Sequence, residues 1–164
     1  IEMVKESGYP GMKVLQFAFG SGSDNEYLPH NYTPNSVVYT GTHDNETLMQ
    51  YLECTEEHVR NHIREYMNRP HASNEELCEN LIWMAMSSVG KYCMIPLQDY
   101  LGLGKEARMN YPSTLGHNWE WRVRKEQLTH DLAGYIAHMT GLSYRWRIDP
   151  PKEEETNETD TENE

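Results

Sequence analysis

The sequence has 164 residues, the length of one domain with enough material to bury a core, and nothing in it reads as a second globular unit. Its formal net charge is −12 at pH 7, of which seven acids against one base between Lys152 and Glu164 supply −6, so neither tail nor body offers the basic patch that nucleic acid or an anionic membrane requires. No apolar run approaches the ~20 residues of a membrane span, no signal peptide is visible, and the three cysteines, Cys54, Cys78 and Cys93, form no CxxC pair and fit a reducing cytoplasm best.

In chain order, IEMVKESG reads as the last two turns of a helix stopped by Gly8, and a first residue that is Ile rather than Met makes the chain read as a fragment. After the turn at residues 8–11, Met12 to Phe19 is nearly continuous in apolar residues and is expected to be a buried parallel strand. Residues 20–36 form a long polar loop with Pro29 and Pro34, and its LPHNY cluster carries His30 and Asn31. Its tyrosines point to an ordered loop, which leaves a binding role and a purely structural one both open. Val37, Val38 and Tyr39 are β-branched and aromatic, as a strand buried on both faces would be, and Thr40-Gly41-Thr42 breaks the run just before His43 and Asp44. In an α/β barrel the chemistry stands at the C-terminal ends of parallel strands. An imidazole beside a carboxylate at that point is therefore a candidate site. The competing reading is that Asp44 or Asn45 caps a helix over Glu46 to Glu53.

Thr55 is placed to cap a further helix reaching Asn68, with Val59, Ile63, Tyr66 and Met67 on one face. His58 and His62 lie four apart on it, but without the intervening Glu of HExxH and among Glu57, Arg60, Asn61 and Arg64 they read as a solvated face. A metal-dependent hydrolase built from this pair with His30, His43 and Asp44 would have to draw ligands from a loop, a strand end and an outward helix face, and is not favoured. Ser73 and Glu76 form a capping box that opens a helix with Leu77, Leu81, Met84, Ala85 and Ser88 on one stripe, ended by Gly90. Met94 to Leu97 is a candidate short strand. The stretch after it is too rich in Gly, Pro and Asn for a regular element, and it reads as a loop anchored by buried tryptophans, Trp119 and Trp121, with Arg108 and Arg122. A last helix is expected over Lys125 to Met139, with Leu128, Leu132, Tyr135, Ile136 and Met139 on one face and Gly141 as its stop. Beyond Pro150-Pro151 no apolar residue occurs, and residues 150–164 are expected to be an acidic disordered tail, leaving 1–149 as the folded unit.

The strings GYPGMKVLQFAF, YLPHNY, VVYTGTHDNET, PLQDYLGLGKEARMN and NWEWR, in this order and at this spacing, resemble the C-terminal part of 4-alpha-glucanotransferases, also called amylomaltases or disproportionating enzymes, over Glu2 to about Arg147. The resemblance implies an α/β fold that is the C-terminal portion of a (β/α)8 TIM-type barrel of the alpha-amylase clan, incomplete in this chain. It implies transfer of a segment of α-1,4-glucan to a new 4-position on glucose or another glucan, with retention of configuration. Retention needs a nucleophilic carboxylate, a carboxylic acid that later serves as base, and stabilisation of an oxocarbenium-like transition state. In the family the nucleophilic Asp and the acid/base Glu, the latter in a motif usually written AEDLG, precede the strand that resembles MKVLQFAF, so both are expected outside this sequence. Asp44 matches the third carboxylate, expected to hold ring hydroxyls of the sugar at the cleavage point, with His43 on a neighbouring hydroxyl and Asn45 bracing the pair. Phe17 resembles a position that contacts the glucan, and His30 and Asn31 are further positions for the same groove. No metal or cofactor is implied; the expected partners are α-1,4-glucans such as maltose and maltodextrins, with glucose as an acceptor. The alternative is a non-catalytic glucan- or partner-binding module derived from the end of that fold.

Overall fold

The computed structural model describes residues 6–146, so the acidic tail expected at 150–164 lies outside the described residues. Among the described residues three parallel strands, β1 (Gly11–Val14), β2 (Ser36–Tyr39) and β3 (Tyr92–Met94), form one sheet in that spatial order. Their register sets Met12 beside Val37 and Val37 beside Tyr92, and Val14 beside Tyr39 and Tyr39 beside Met94. Among the described residues the sheet is accompanied by the helices α1 (Leu48–Cys54), α2 (Glu57–Tyr66), α3 (Asn74–Met86), α4 (Leu97–Tyr100) and α5 (His130–Leu142). Helices α1 to α3 make the crossover from β2 to β3, as a parallel pair requires.

One sheet face builds the core. Val38 is fully buried with Leu48 and Leu52 of α1, Ile63 of α2 and Leu77, Leu81 and Ala85 of α3, and Leu15, Phe19 and Leu28 close the cluster. The turn into β3 approaches so closely that a Cβ on Gly90 would stand 2.5 Å from Val38 Cγ2, which excludes any larger residue there. Arg145, just after α5, locks the same turn by donating to the carbonyls of Met86, Ser88 and Gly90. On the opposite face Met12, Tyr92 and Met94 are exposed, and Val37 and Tyr39 only partly covered. Val14 on this face is buried, but the expectation of a β2 buried on both faces is corrected: among the described residues Val37 and Tyr39 of β2 are only partly covered.

The boundaries differ from the sequence reading for local reasons. Pairing along Met12 to Phe19 stops at Val14, and Leu15–Phe17 turns into a 3-10 segment that carries Gln16 under the loop after β2. The helix after that loop is capped by Thr47, whose hydroxyl accepts from the Gln50 N–H, and not by Asp44 or Asn45. Thr55 ends α1 rather than opening α2; Arg60 reaches back to the carbonyls of Leu52 and Thr55 and thereby fixes the tight α1–α2 turn. The Ser73–Glu76 capping box is present in both directions, but α3 stops at Met86, short of Gly90. Pro96 has no N–H to offer a ladder, so β3 ends at Met94 and Leu97 opens α4. Lys125–Gln127 is a separate 3-10 turn, Thr129 caps α5, and Gly141 lies inside that helix instead of stopping it.

Candidate active site

Residues 40–47 leave the C-terminal end of β2 and descend into α1, held in place by side chains from elsewhere and by one of their own. Gln16, buried after β1, donates from Nε2 to the Glu46 carbonyl at 2.8 Å, and a Cβ on Gly41 would stand 2.6 Å from that nitrogen, so the loop passes Gln16 only as glycine. Asn45 closes the loop internally: its Oδ1 accepts from the Thr42 N–H at 3.0 Å and from the Thr42 hydroxyl at 2.7 Å. Arg108, in the irregular stretch after α4, donates to Glu46 Oε1 at 2.6 Å, to the Asp44 carbonyl at 3.0 Å and to the Asn110 carbonyl at 3.0 Å, and lies over the Tyr111 ring. Asn110 then donates to the Asp44 carboxylate itself, Nδ2 to Oδ1 at 2.6 Å.

His43 and Asp44 stand together at the surface, Nε2 to Oδ1 3.3 Å, each with about half of its side chain open to solvent. They border a cavity of about 460 Å³ on the side of Met12, Tyr39 and Met94, and His43 also borders a smaller one shared with Gln98, Asp99 and Arg108. The imidazole packs on the Trp119 indole, ring centres 5.0 Å apart. Trp119 is half exposed, so the tryptophan anchor expected from the sequence is corrected: its ring rests on the site and not in a core. Its backbone is held with φ +66° by donation to the Met109 carbonyl at 2.7 Å.

Beneath this loop lies a carboxylate that the sequence reading did not single out. Asp99, in α4, is 2% exposed; its Oδ2 accepts from the Thr40 hydroxyl at 2.6 Å and its Oδ1 from the Leu48 N–H at 2.8 Å. It therefore ties the end of β2 to the first turn of α1, so that the loop carrying His43 and Asp44 is pinned at both ends. Burial pushes its carboxyl up from the ordinary 3.8 to about 6, against the opposing pull of its two hydrogen bonds. The neighbouring Cys78 thiol is likewise pushed up, to about 12, chiefly by burial, and is not a reactive thiolate.

The other expected site residues divide. Phe17 is half exposed and meets Tyr27 edge to face, leaving much of its ring free. His30 and Asn31 are committed to the loop between β1 and β2. Nε2 of His30 faces the Ser23 carbonyl at 2.8 Å, which only accepts, so in the neutral ring Nε2 carries the proton and Nδ1 accepts from the Tyr66 hydroxyl at 2.9 Å. Asn31 donates to the carbonyls of Ser23 and Asn25. Neither borders the cavities beside His43. His58 pairs with Glu56 in solvent and His62 bonds the Phe19 carbonyl, so those two histidines do not share a ligand site. Among the described residues no group of three or more His, Cys, Asp or Glu is placed to hold a metal ion.

The fold and site define a parallel α/β chain whose polar cluster sits at the C-terminal edge of its strands, where such sheets place their ligands. A family profile for 4-alpha-glucanotransferase matches residues 1–129, and the chain belongs to that family. It is 43% identical over 143 residues to the 4-alpha-glucanotransferase of Clostridium butyricum, covering 87% of this chain and 29% of that protein. It is 42% identical over 143 residues to that of Thermus thermophilus, covering 84% and 29%. An amylomaltase from Streptococcus agalactiae, solved in complex with acarbose, superposes with a TM-score of 0.81 at 32% identity over 88% of this chain and 29% of its own. An amylomaltase from Corynebacterium glutamicum shares the fold at a TM-score of 0.61. The chain thus spans under a third of the length of these relatives.

Proposed function

We propose that this chain supplies the Asp44 side of a 4-alpha-glucanotransferase site, as the C-terminal portion of a (β/α)8 barrel whose nucleophilic Asp and acid/base Glu belong to sequence outside these residues. The observation that carries the proposal is the Asp44 carboxylate: it stands at the end of a parallel strand, half open to a cavity, with Asn110 fixing one oxygen at 2.6 Å and Arg108 holding its backbone. A carboxylate preorganised in this way gains most when positive charge and a flattened ring develop beside it, which is the electrostatic task left over once nucleophile and acid are assigned. His43 holds a hydroxyl next to the one bound by Asp44. Asn45 spends its oxygen on the Thr42 turn and keeps its amide nitrogen for a sugar hydroxyl, and Phe17 offers a ring to the C–H face of a glucose unit. His30 and Asn31 act through the loop that carries Phe17, since their side chains are bonded within it. The partners are α-1,4-glucans as donors and glucose or glucan as acceptors, and the free thiols fit a reducing cytoplasm.

The test is disproportionation of maltotriose. The 164 residues continued by the rest of a family-length polypeptide are expected to yield glucose and maltopentaose in equal amounts, and the 164-residue chain alone neither. Glucose without longer products from the long polypeptide would overturn the assignment of transfer. Turnover by the 164-residue chain would overturn the division of carboxylates.

A further inference from the structure

Trp119 has no role in the assignment above, yet the chain goes to some lengths to place it. It is a bulky residue in the left-handed region, φ +66°, and Ser113 and His117 of the same stretch share that conformation at φ +64° and +55°. Such backbone is disfavoured for every residue but glycine and persists where surrounding bonds fix it. Here the Trp119 N–H donates to the Met109 carbonyl at 2.7 Å, and its own carbonyl accepts from Arg122 at 2.7 Å. The outcome is an indole set on the His43 imidazole with 49% of the residue still open to solvent. A tryptophan that served packing alone would be expected to bury its ring.

The surroundings state the chemistry of what covers the open part. His43 meets the indole and is followed by Asp44 and then Asn110 in one polar cluster, while the nearby guanidinium of Arg108 is already engaged by Glu46 and by backbone carbonyls. A ligand suited to this arrangement has hydroxyls around its rim and an apolar face, as a pyranose has. We propose that Trp119 is a sugar-stacking residue of the His43–Asp44 site: one glucose unit lies with its C–H face on the indole while its hydroxyl edge reaches His43. The inference rests on the glucan-transfer reading and adds a binding residue to it.

The experiment measures KM and kcat for maltotriose, with thermal unfolding, in the family-length polypeptide carrying Trp119→Ala, Trp119→Phe, Trp119→Leu and, as a control, Trp121→Ala. Trp119→Ala is expected to raise KM about tenfold or more, the scale of losing a buried aromatic anchor. Trp119→Phe, which keeps a flat ring, stays within about threefold of wild type, and Trp121→Ala leaves KM unchanged. Trp119→Leu keeps apolar bulk without a flat face; it is expected to follow Ala, and it decides the matter if the Ala variant does not fold. A Leu variant with wild-type KM, or a Phe variant as impaired as Leu, overturns the stacking role while leaving the glucan-transfer reading intact. A wild-type polypeptide that neither binds nor transfers glucan overturns both.

Discussion

Asp44→Asn in the family-length polypeptide is expected to lower kcat for glucan transfer by a factor on the order of 10² to 10³, with melting temperature unchanged. The structure sharpens why stability should not move. Asp44 does not cap α1, because Thr47 does, and its backbone is held by Arg108 whatever side chain it carries. The bond from Asn110 survives too, since an Asn at position 44 still presents a carbonyl oxygen to Asn110 Nδ2. What disappears is the negative charge facing the ring. A rise in KM with kcat unchanged would show loss of uniform binding and not of transition-state stabilisation. Near-normal kcat would remove Asp44 from the chemistry.

The second large effect is on stability, and it belongs to Asp99. Since burial raises its carboxyl to about 6 from 3.8, the folded state binds more protons than the unfolded state between those values. The contribution is therefore fully present below about pH 3.8 and lost as pH rises through about 6, a difference of roughly 3 kcal/mol at 1.36 kcal/mol per pH unit. The Thr40 hydroxyl makes both states tolerable, donating to the carboxylate and accepting from the protonated acid. Asp99→Asn mimics the protonated form, with a carbonyl for the Leu48 N–H and an amide for Thr40. Urea unfolding across pH 4 to 7.5 is expected to show that this variant loses the wild-type decline and exceeds wild type at the upper end. Asp99→Ala strands both partners in a buried place and should fall about 2 to 4 kcal/mol below Asp99→Asn at every pH. A wild-type stability that rises across this window would show that the carboxylate is stabilised as an anion.

How much of this could be read beforehand depends on the range over which each signal acts. The strand at Val37–Tyr39 and its break at Gly41 are written in consecutive residues, as are the Ser73–Glu76 box and the amphipathic spacing of Val59 and Ile63. Those features depend on neighbours three or four positions away. Element ends were less legible because distant groups set them: Gln16 turns off the first strand to reach Glu46, 30 residues on, and Arg60 fixes the end of α1 from within α2. His43 and Asp44 were legible as a strand-end pair. Their supports were not, since Arg108, Asn110 and Asp99 lie 51 to 66 residues beyond the groups they bond. Asp99 in particular sits in a short helix where the sequence reads as an irregular loop, and a carboxylate there carries no periodic mark of burial. In the Pro-, Gly- and Asn-rich stretch the size of Trp119 points to burial, yet the residue is half exposed and, from a left-handed backbone, its ring lies against His43.

On the proposed function, the Asp44 carboxylate recognises charge and shape that a glucan acquires only as it reacts. The most direct measurement compares the affinity of wild type and Asp44→Asn, in the family-length polypeptide, for two ligands of equal length: a maltooligosaccharide and an analogue with a protonated nitrogen in or beside its terminal ring. The expected loss is about 100-fold or more for the cationic analogue and less than about tenfold for the neutral glucan. Equal losses for the two ligands, or none for the cationic one, would contradict it.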